Sequence, residues 1–463
     1  MTTLSLTQMQ AISERHPDVF AGSWRKALTG WAVGLGLVAY LAFAWWFFAV
    51  GAVLAGGNWG IAGTYLADWV SYEVRPQIDF KDDRLDISYP RFSAYRADRH
   101  PQWLSFERPS ATASTASANK ASASRVTVEI DGSDRIEVTP TSVVVTNGGE
   151  TLDIAIVPAK SITVTGELPS WATQKKPGEK ITVDFGFAGS AQIDADDVNV
   201  RHRFFGWENF FFDGHSPYWG KSTGEIVSLV LSGERIDPKT SNAALAWNNI
   251  VNNSEWQHGD VWLKLAQTIV MAFVGTLFAS LLAFPLAFLA ARNITRNRLV
   301  NQVAKRFFDF LRSVDMLIWA LFFTRAFGPG PIAGISAIFF TDTGTFGKLY
   351  SEALENIDDK QREGMRSVGA SPVSVQRYGV VPQVLPVLIS QSLYFWESNT
   401  RSATIIGAVG AGGIGLKLWE AMRTNSDWEN VAYMVLLILV VVFIFDNIST
   451  ALRQRLIGNK ASH

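Results

Sequence analysis

The chain has no cysteine among its 463 residues. Disulfides, thiolate metal sites and cysteine nucleophiles are thereby excluded. The compartment stays open, because many exported domains also lack this residue. Net charge is nearly absent: 41 basic and 42 acidic residues give a formal −1. No global basic field points to nucleic acid. Histidine is scarce. His16, His100, His202, His215 and His258 precede the long apolar half of the chain, and His463 ends it. No grouping of histidines with carboxylates suggests a metal site. The N-terminal stretch lacks a short apolar core followed by a cleavage site. It reads as mature sequence rather than a signal peptide.

Apolar residues are what the chain has in quantity: 48% of positions, with 17 Trp and 30 Phe. That much chain is unlikely to be one domain, and the balance fits a membrane protein with a sizeable soluble part. A span needs about 20 apolar residues. Six stretches approach that length: 28–54, 263–291, 314–327, 332–350, 385–409 and 431–452. The third is short, and the fourth is interrupted by Thr341, Asp342, Thr343 and Gly344. Both are expected inside a bundle, where polar or irregular segments are shielded.

Basic residues gather at four places. Arg15, Arg25 and Lys26 precede the first span. Arg292, Arg296, Arg298, Lys305, Arg306 and Arg312 follow the second. Lys360, Arg362, Arg366 and Arg377 precede the fifth, and Arg453, Arg455 and Lys460 follow the last. Six spans put all four clusters on one side; five cannot. The positive-inside rule then places both termini in the cytoplasm, with a multi-pass chain in a bacterial inner membrane and the lipid bilayer as its solvent. The expected organisation is a cytoplasmic tail (1–26), a first span (27–55), a periplasmic insertion (56–258), a membrane core (259–455) with a cytoplasmic loop at 353–384, and a second tail (456–463).

The insertion reads as β over about 125–203. Runs rich in Val, Ile and Thr at 125–130, 141–146, 151–157, 161–166 and 180–185 are punctuated by Gly, Asp, Asn and Pro. That is the pattern of a small sandwich or barrel. The Ser/Ala/Thr stretch at 110–124 reads as a flexible linker. The aromatic run at 204–212 admits two readings: a belt at the bilayer surface, or packing beneath the β domain.

Two motifs are false. Gly410, Gly412, Gly413 and Gly415 contribute to a G-x-G-x-x-G pattern, but they close an apolar span instead of linking a strand to a helix. Small residues there permit close helix approach or an unwound turn near a pore. The segment 214–222, GHSPYWGKS, resembles a phosphate-binding loop with one residue too many between its glycines, and it has no buried strand ahead of it. No ATP site is therefore expected on this chain.

The charged loop between the fourth and fifth spans carries a spacing. Glu363-Gly364-Met365 is followed after three residues by Gly369, and after nine more by Gly379-Val380-Val381-Pro382. Gly369 permits a tight turn, and Ser371-Pro372 suits a new helix start. An ordinary charged helical hairpin would satisfy the spacing as well. The spacing resembles the cytoplasmic E-A-A…G…I-x-L-P signature of ABC-importer permeases, with Gly364 and Met365 in place of two alanines and Val381 in place of leucine. Beyond it, residues 328–357, 366–423 and 268–293 resemble the phosphonate importer permeases of the PhnE type, which have the MetI-like fold.

The resemblance implies a mostly α membrane protein: a six-span MetI-like bundle with a β-rich periplasmic insertion between the first and second spans. It implies no enzyme and no cofactor on this chain. ATP and Mg would be held by two copies of a partner ATPase docked at Glu363, Gly364, Met365, Gly369, Ala370, Ser371 and Pro382. It also implies a homodimer and a periplasmic phosphonate-binding protein, with no nucleic acid among the partners. Family members usually have a short first periplasmic loop, so the resemblance leaves the insertion unexplained.

Inside the fifth span, Glu397, Asn399, Arg401 and Ser402 are candidate path residues, because intramembrane charges usually face a bundle interior or a water-filled route. Glu397 and Arg401 share one helix face. A self-neutralising packing pair is the plainer reading of them. Arg325, Asp342 and Lys348 are further candidates. The expected function is phosphonate import by alternating access. The alternatives are a permease for phosphate or phosphite, a transmembrane sensor with a periplasmic β domain, and a plain channel.

Overall fold

The computed structural model describes residues 24–57, 59–81, 84–90, 93–96, 99–107, 121–158, 161–424 and 428–458. The expected N-terminal tail falls largely outside these residues, as do 110–120 of the linker and the last five residues. The chain divides into two units, Met1–Leu66 and Ala67–His463. In the first, helix α1 (Trp24–Phe47) contains a stretch, Leu28–Phe47, long and apolar enough to cross a membrane. It stops before Ala49, whose φ of 48° is left-handed. A short helix α2 (Val50–Ala55) follows, and α3 (Trp59–Asp68) then begins.

The second unit opens with two antiparallel sheets. One orders its strands Ala172–Gln174, Ile181–Asp184, Gly189–Ile193, Asp197–Phe205, Gln77–Lys81, Arg84–Ser88 and Ala121–Ala123. Ser71–Val74 also pairs with Asp197–Phe205, in a register that sets Ser71 opposite Phe205. The other sheet runs Ser161–Thr165, Glu150–Val157, Ser142–Asn147, Asp134–Thr139, Arg125–Asp131 and Leu104–Glu107. Side chains alternate between faces along a strand. Glu150–Val157 accordingly buries Leu152, Ile154 and Ile156 and exposes the residues between them. The inward residues of both sheets form one core, with Ile78, Leu85 and Ile87 from the first and Val126, Ile136 and Val145 from the second.

This β body is wider than 125–203. It starts at Ser71 and ends at Phe205. The early strands Gln77–Lys81 and Arg84–Ser88 carry a charge beside each apolar residue, and only their inward Ile78, Phe80, Leu85 and Ile87 declare them. The expected linker also contributes a strand. Ala121–Ala123 pairs with Arg84–Ser88, and Ser122 Oγ donates to Asp86 Oδ1 at 2.9 Å.

After the sheets come α4 (Thr223–Ser232), α5 (Asn242–Val251), α6 (His258–Ala290), α7 (Arg298–Ser313), α8 (Met316–Phe327), α9 (Pro331–Glu355), α10 (Asp359–Ser367), α11 (Val381–Ile406), α12 (Gly413–Thr424) and α13 (Trp428–Gly458). Among the described residues, three helices pass for spans on length and apolarity: the one within α1, α6, and most of α13. The stretch from Pro372 through α11 to Ala411, together with α12, makes a fourth, bent by 59°. The expected third and fourth spans correspond to α8, an apolar helix of 12 residues, and to α9, a helix of 25 residues. The α9 stretch carries Asp342, Lys348 and its run of threonines, and it is not among the helices that pass. Helix α7 occupies a stretch that reads as a basic loop in sequence. Its Phe308 and Leu311 are buried.

The aromatic run splits at Gly206, where φ is 117°. Phe204 stays with the β body, 5.4 Å from the Tyr72 ring. Trp207 and Phe210 instead pack with Trp256 and Tyr433 at the ends of the long helices. Phe205 and Phe211 are exposed. Neither sequence reading describes the whole run.

Candidate functional site

The loop between α9 and α11 is a built structure. Asp358 caps α10 by accepting from the Lys360 amide at 3.0 Å. The helix ends where Gly369 takes φ 79°. The Gly369 amide donates to the Arg366 carbonyl and the Ala370 amide to the Met365 carbonyl. This pair of bonds is a Schellman closure, which favours glycine at the left-handed position. Ser371 then caps the next turn, accepting from the Ser374 amide, and Pro372 stands where no amide donor is needed. A wide turn, Val375–Val380, leads into α11, with Pro382 in that helix's first turn.

Met365 points inward, toward Gly379, while Glu363 and Gly364 are exposed. The loop presents three apolar side chains outward: Val368 (78% exposed), Val373 (75%) and Tyr378 (61%). It is tied to the bundle by Arg362, which is buried and donates through Nη2 to the Asn293 carbonyl at 3.0 Å. Asn293 in turn donates to the Leu354 carbonyl at 2.8 Å. In the sequence Arg362 is one positive charge among several, with no local signal for this anchoring contact.

The polar residues of α11 sort to two sides. Glu397 is buried and pairs with Arg401 at 3.1 Å and with Arg453 of α13 at 3.5 Å. Arg453 is also 5.6 Å from the centre of the Tyr394 ring. Asn399 faces the other way. Its Nδ2 donates to Thr276 Oγ1 of α6 at 2.8 Å and to Asp342 Oδ2 of α9 at 2.5 Å. Asp342 is itself buried, so this trio pins three helices together. Ser402 donates back to the Ser398 carbonyl within its own helix. Arg401 remains about half-exposed. Arg325 is exposed at the end of α8, and Lys348 lies 3.6 Å from Asp309. The four path candidates are therefore not one cluster. Arg453, 56 residues from Glu397, carried no sequence signal for this contact.

The glycines after α11 break the helix. Gly410, Gly412 and Gly413 have φ of 104°, 84° and 69°. The Gly410 carbonyl accepts from the Gly330 amide at 3.0 Å, and Thr268 Oγ1 accepts from the Ile414 amide at 2.8 Å. A methyl group on Gly413 would lie 2.3 Å from that hydroxyl, and one on Gly415 would lie 1.9 Å from the Thr404 carbonyl oxygen. These glycines allow both an unwound turn and backbone-to-backbone packing. The second false motif also has a local job. Ser222 and Glu225 form a capping box at the start of α4.

Where the β body meets the helices, one hydroxyl joins several elements. Trp262 Nε1 donates to Tyr433 Oη at 2.9 Å. Tyr433 Oη lies 2.8 Å from His258 Nδ1, and His258 Nε2 lies 2.6 Å from the Phe210 carbonyl. A carbonyl only accepts, so Nε2 carries the proton and Nδ1 accepts from the tyrosine. Beside this chain lie Glu208 and Glu255. Burial pushes each carboxyl up to about 7, with the Glu208 charge adding to the effect on Glu255. Asn209 Nδ2 donates to both oxygens of Glu255 at 3.1 Å.

Residues 283–458 match the family described as binding-protein-dependent transport system inner membrane component. A phosphite transport system permease protein of Stutzerimonas stutzeri is 38% identical over 194 residues, covering 42% of this chain and 70% of that one. A protein of Escherichia coli named as a cryptic phosphonate transport system permease is 50% identical over 121 residues, 26% of this chain and 98% of its own. The phosphate-import permease of Mycolicibacterium smegmatis is 36% identical over 198 residues, 43% of this chain and 37% of its own. An inward-facing structure of the MetNI methionine ABC transporter aligns with 42% of this chain and 95% of its own, at 20% identity and a TM-score of 0.38. The family match begins at residue 283 and leaves the β body outside it. Subunits of this kind are non-enzymatic and work with an ATPase and a substrate-binding protein carried on other chains. The multi-pass, mostly helical chain, with its bundle of buried polar contacts, belongs to the family of binding-protein-dependent transport system inner membrane components.

Proposed function

We propose that the protein is the permease of an importer for phosphonates, driven by alternating access. The observation that carries this is the loop at 363–382. It is a capped, glycine-closed helix anchored through Arg362, with Val368, Val373 and Tyr378 turned outward. Exposed apolar residues on a rigid support suit docking into a groove of a soluble partner. Glu363, Gly364, Met365, Gly369, Ala370, Ser371 and Pro382 build this element, with Met365 and Pro382 acting inside it. Two ATPase copies, holding ATP and Mg, would push on two such loops in a homodimer. The bundle has two states that both faces must bias.

Six spans with both termini in the cytoplasm fit the basic clusters. Helices α8 and α9 are then the third and fourth spans, and the β body faces the periplasm in the 56–258 insertion. Helix α9 is packed within the bundle, whereas α8, against expectation, leaves Ile318, Leu321, Phe322 and Phe327 exposed. Arg401 is half-exposed on α11. At membrane depth, a charge in that position favours the dimer interface and the solute route over lipid. Glu397, Arg453 and Ser402 would shape that route, while Asn399 holds the bundle from behind. The glycines at 410–415 would supply its bend. The β body offers a docking surface for the binding protein or a contact across the dimer.

Phosphate or phosphite is the second reading, since relatives are named for each. Binding-protein selectivity would decide between them. The test is uptake of labelled methylphosphonate, phosphite and phosphate by vesicles holding the full complex. Arg401→Gln is expected to lower uptake while the subunits still co-purify. Unchanged uptake would remove Arg401 from the route. Gly369→Asp that co-purifies with a normally stimulated ATPase would remove the loop from coupling.

A further inference from the structure

The pair α4–α5 is held firmly yet leaves its apolar side uncovered. Asn242 is the fastener. Its Nδ2 donates to the Leu229 carbonyl at 2.7 Å and the Glu234 carbonyl at 2.9 Å, and its Oδ1 accepts from the Ile236 amide at 3.0 Å. Tyr218, fully buried, donates to the Asn242 carbonyl at 2.8 Å. Despite this, α4 buries none of its ten residues. Such a short helix is marginal in water without an apolar face to pack. Its side chains are sorted: Glu225, Ser228 and Ser232 share one side, and Val227, Val230 and Leu231 share another, as the helical repeat dictates. Leu231 is 79% exposed, and Val227 and Ile236 are exposed beside it.

The neighbours say what covers that side. Trp247 of α5 is 60% exposed, and its ring lies 5.8 Å from the ring of Trp262 on α6. From Trp262 toward the helix end, α6 shows an exposed apolar stripe through Leu263, Val270, Phe273 and Leu277. The 33 residues of α6 are about 50 Å long. The hydrocarbon and headgroup layers together are about 40–45 Å thick. Trp262 stands about 42 Å along the helix from its far end at Ala290, so with that end in one headgroup layer the Trp262 level falls in the opposite one. Aromatic residues concentrate at that level. The uncovered side of α4–α5 is therefore continuous with the lipid-facing stripe of a span.

We infer that the α4–α5 hairpin lies in the bilayer surface on the side of the β body, with Val227, Leu231, Ile236 and Trp247 set among lipid headgroups and upper acyl chains. The occupant of this face is lipid, and the hairpin is an anchor for the β body. Glu225, Ser228 and Ser232 then face the water. A polar strip beside an apolar one is the arrangement of a helix lying in an interface.

The cysteine-free chain makes the test direct. Leu231→Cys, Val227→Cys and, for contrast, Ser228→Cys are each labelled with a nitroxide in the full chain, in vesicles of phosphatidylethanolamine and phosphatidylglycerol. Collision with oxygen, which concentrates in the bilayer, is compared with collision with a water-soluble nickel chelate. At 231 and 227 the oxygen-to-nickel ratio is expected to be several-fold higher than at 228. Equal ratios would mean that the face meets water. Shielding from both reagents would mean that a protein covers it, and dipolar broadening between labels would identify a second copy. Each of these results overturns the inference.

Discussion

The two carboxyls at the junction, Glu208 and Glu255, set a pH dependence that can be worked out. Burial pushes each up to about 7 from an ordinary value of 4.5. Between those values the folded protein keeps protons that the unfolded chain has released. Stability is therefore greatest below the window and falls as pH rises through it. The gap from 4.5 to about 7 corresponds to on the order of 3 kcal/mol for either group alone. The Glu208 charge raises Glu255, so the pair releases its protons in coupled steps and the total need not be double. Glu208→Gln and Glu255→Gln keep a neutral group of the same shape. Thermal unfolding of the purified protein would be followed from about pH 3.5 to about pH 8.5, a range that brackets the window in which this linkage acts. Each variant is expected to match the parent at the acid end and to exceed it at the alkaline end, so that its curve against pH is flatter. Curves that run parallel to the parent's across the range would refute the assignment of buried, proton-holding carboxyls.

Three further outcomes follow from the packing. Gly415→Ala forces a methyl group against the Thr404 carbonyl, so it should lower stability by about 1–3 kcal/mol as overpacking does, read as a fall in unfolding temperature. Asn399→Leu removes the amide that donates to buried Asp342; the unmet acceptor should cost about 1–3 kcal/mol, and Asp342→Leu in the same chain should recover part of it. Gly369→Ala strains the left-handed turn by about 1–2 kcal/mol, while Gly369→Asn, which tolerates that conformation, should retain more of the ATPase stimulation measured with the partner subunits.

Much of the fold is legible in the sequence where one rule acts alone. The strands Arg125–Asp131, Ser142–Asn147, Glu150–Val157, Ser161–Thr165 and Ile181–Asp184 lie where runs of Val, Ile and Thr place them. Gly189–Ile193 was not legible. Its sequence, GSAQI, lacks β-branched residues ahead of its last position, and its glycine is required because a Cβ would lie 1.9 Å from the Arg201 carbonyl oxygen. Helix α7 is hard to see because its many basic residues give it the composition of a charged loop, although Phe308 and Leu311 recur at helical spacing. The Glu397–Arg401 contact lies within one helix and follows from a four-residue separation. The links to Arg453 and Asp342 depend on how helices meet, which no local pattern encodes.

The pairing of Ser71 with Phe205 has a consequence for how such a chain can be assembled. The Gly206 amide donates to the Val70 carbonyl at 2.8 Å, so the two ends of the β body are stitched side by side. Opposed residues in an antiparallel pair stand about 5 Å apart. A permease loop can therefore open at one point, accept the whole body, and close again with its own helices undisturbed. The reverse operation is a clean excision: removing 71–205 and joining the ends with a short glycine-serine bridge should leave the helices in place. Cutting 110–195 would sever both sheets and strand their cores. The body is a cassette with a single doorway, which lets it be gained, lost or exchanged without renegotiating the membrane part.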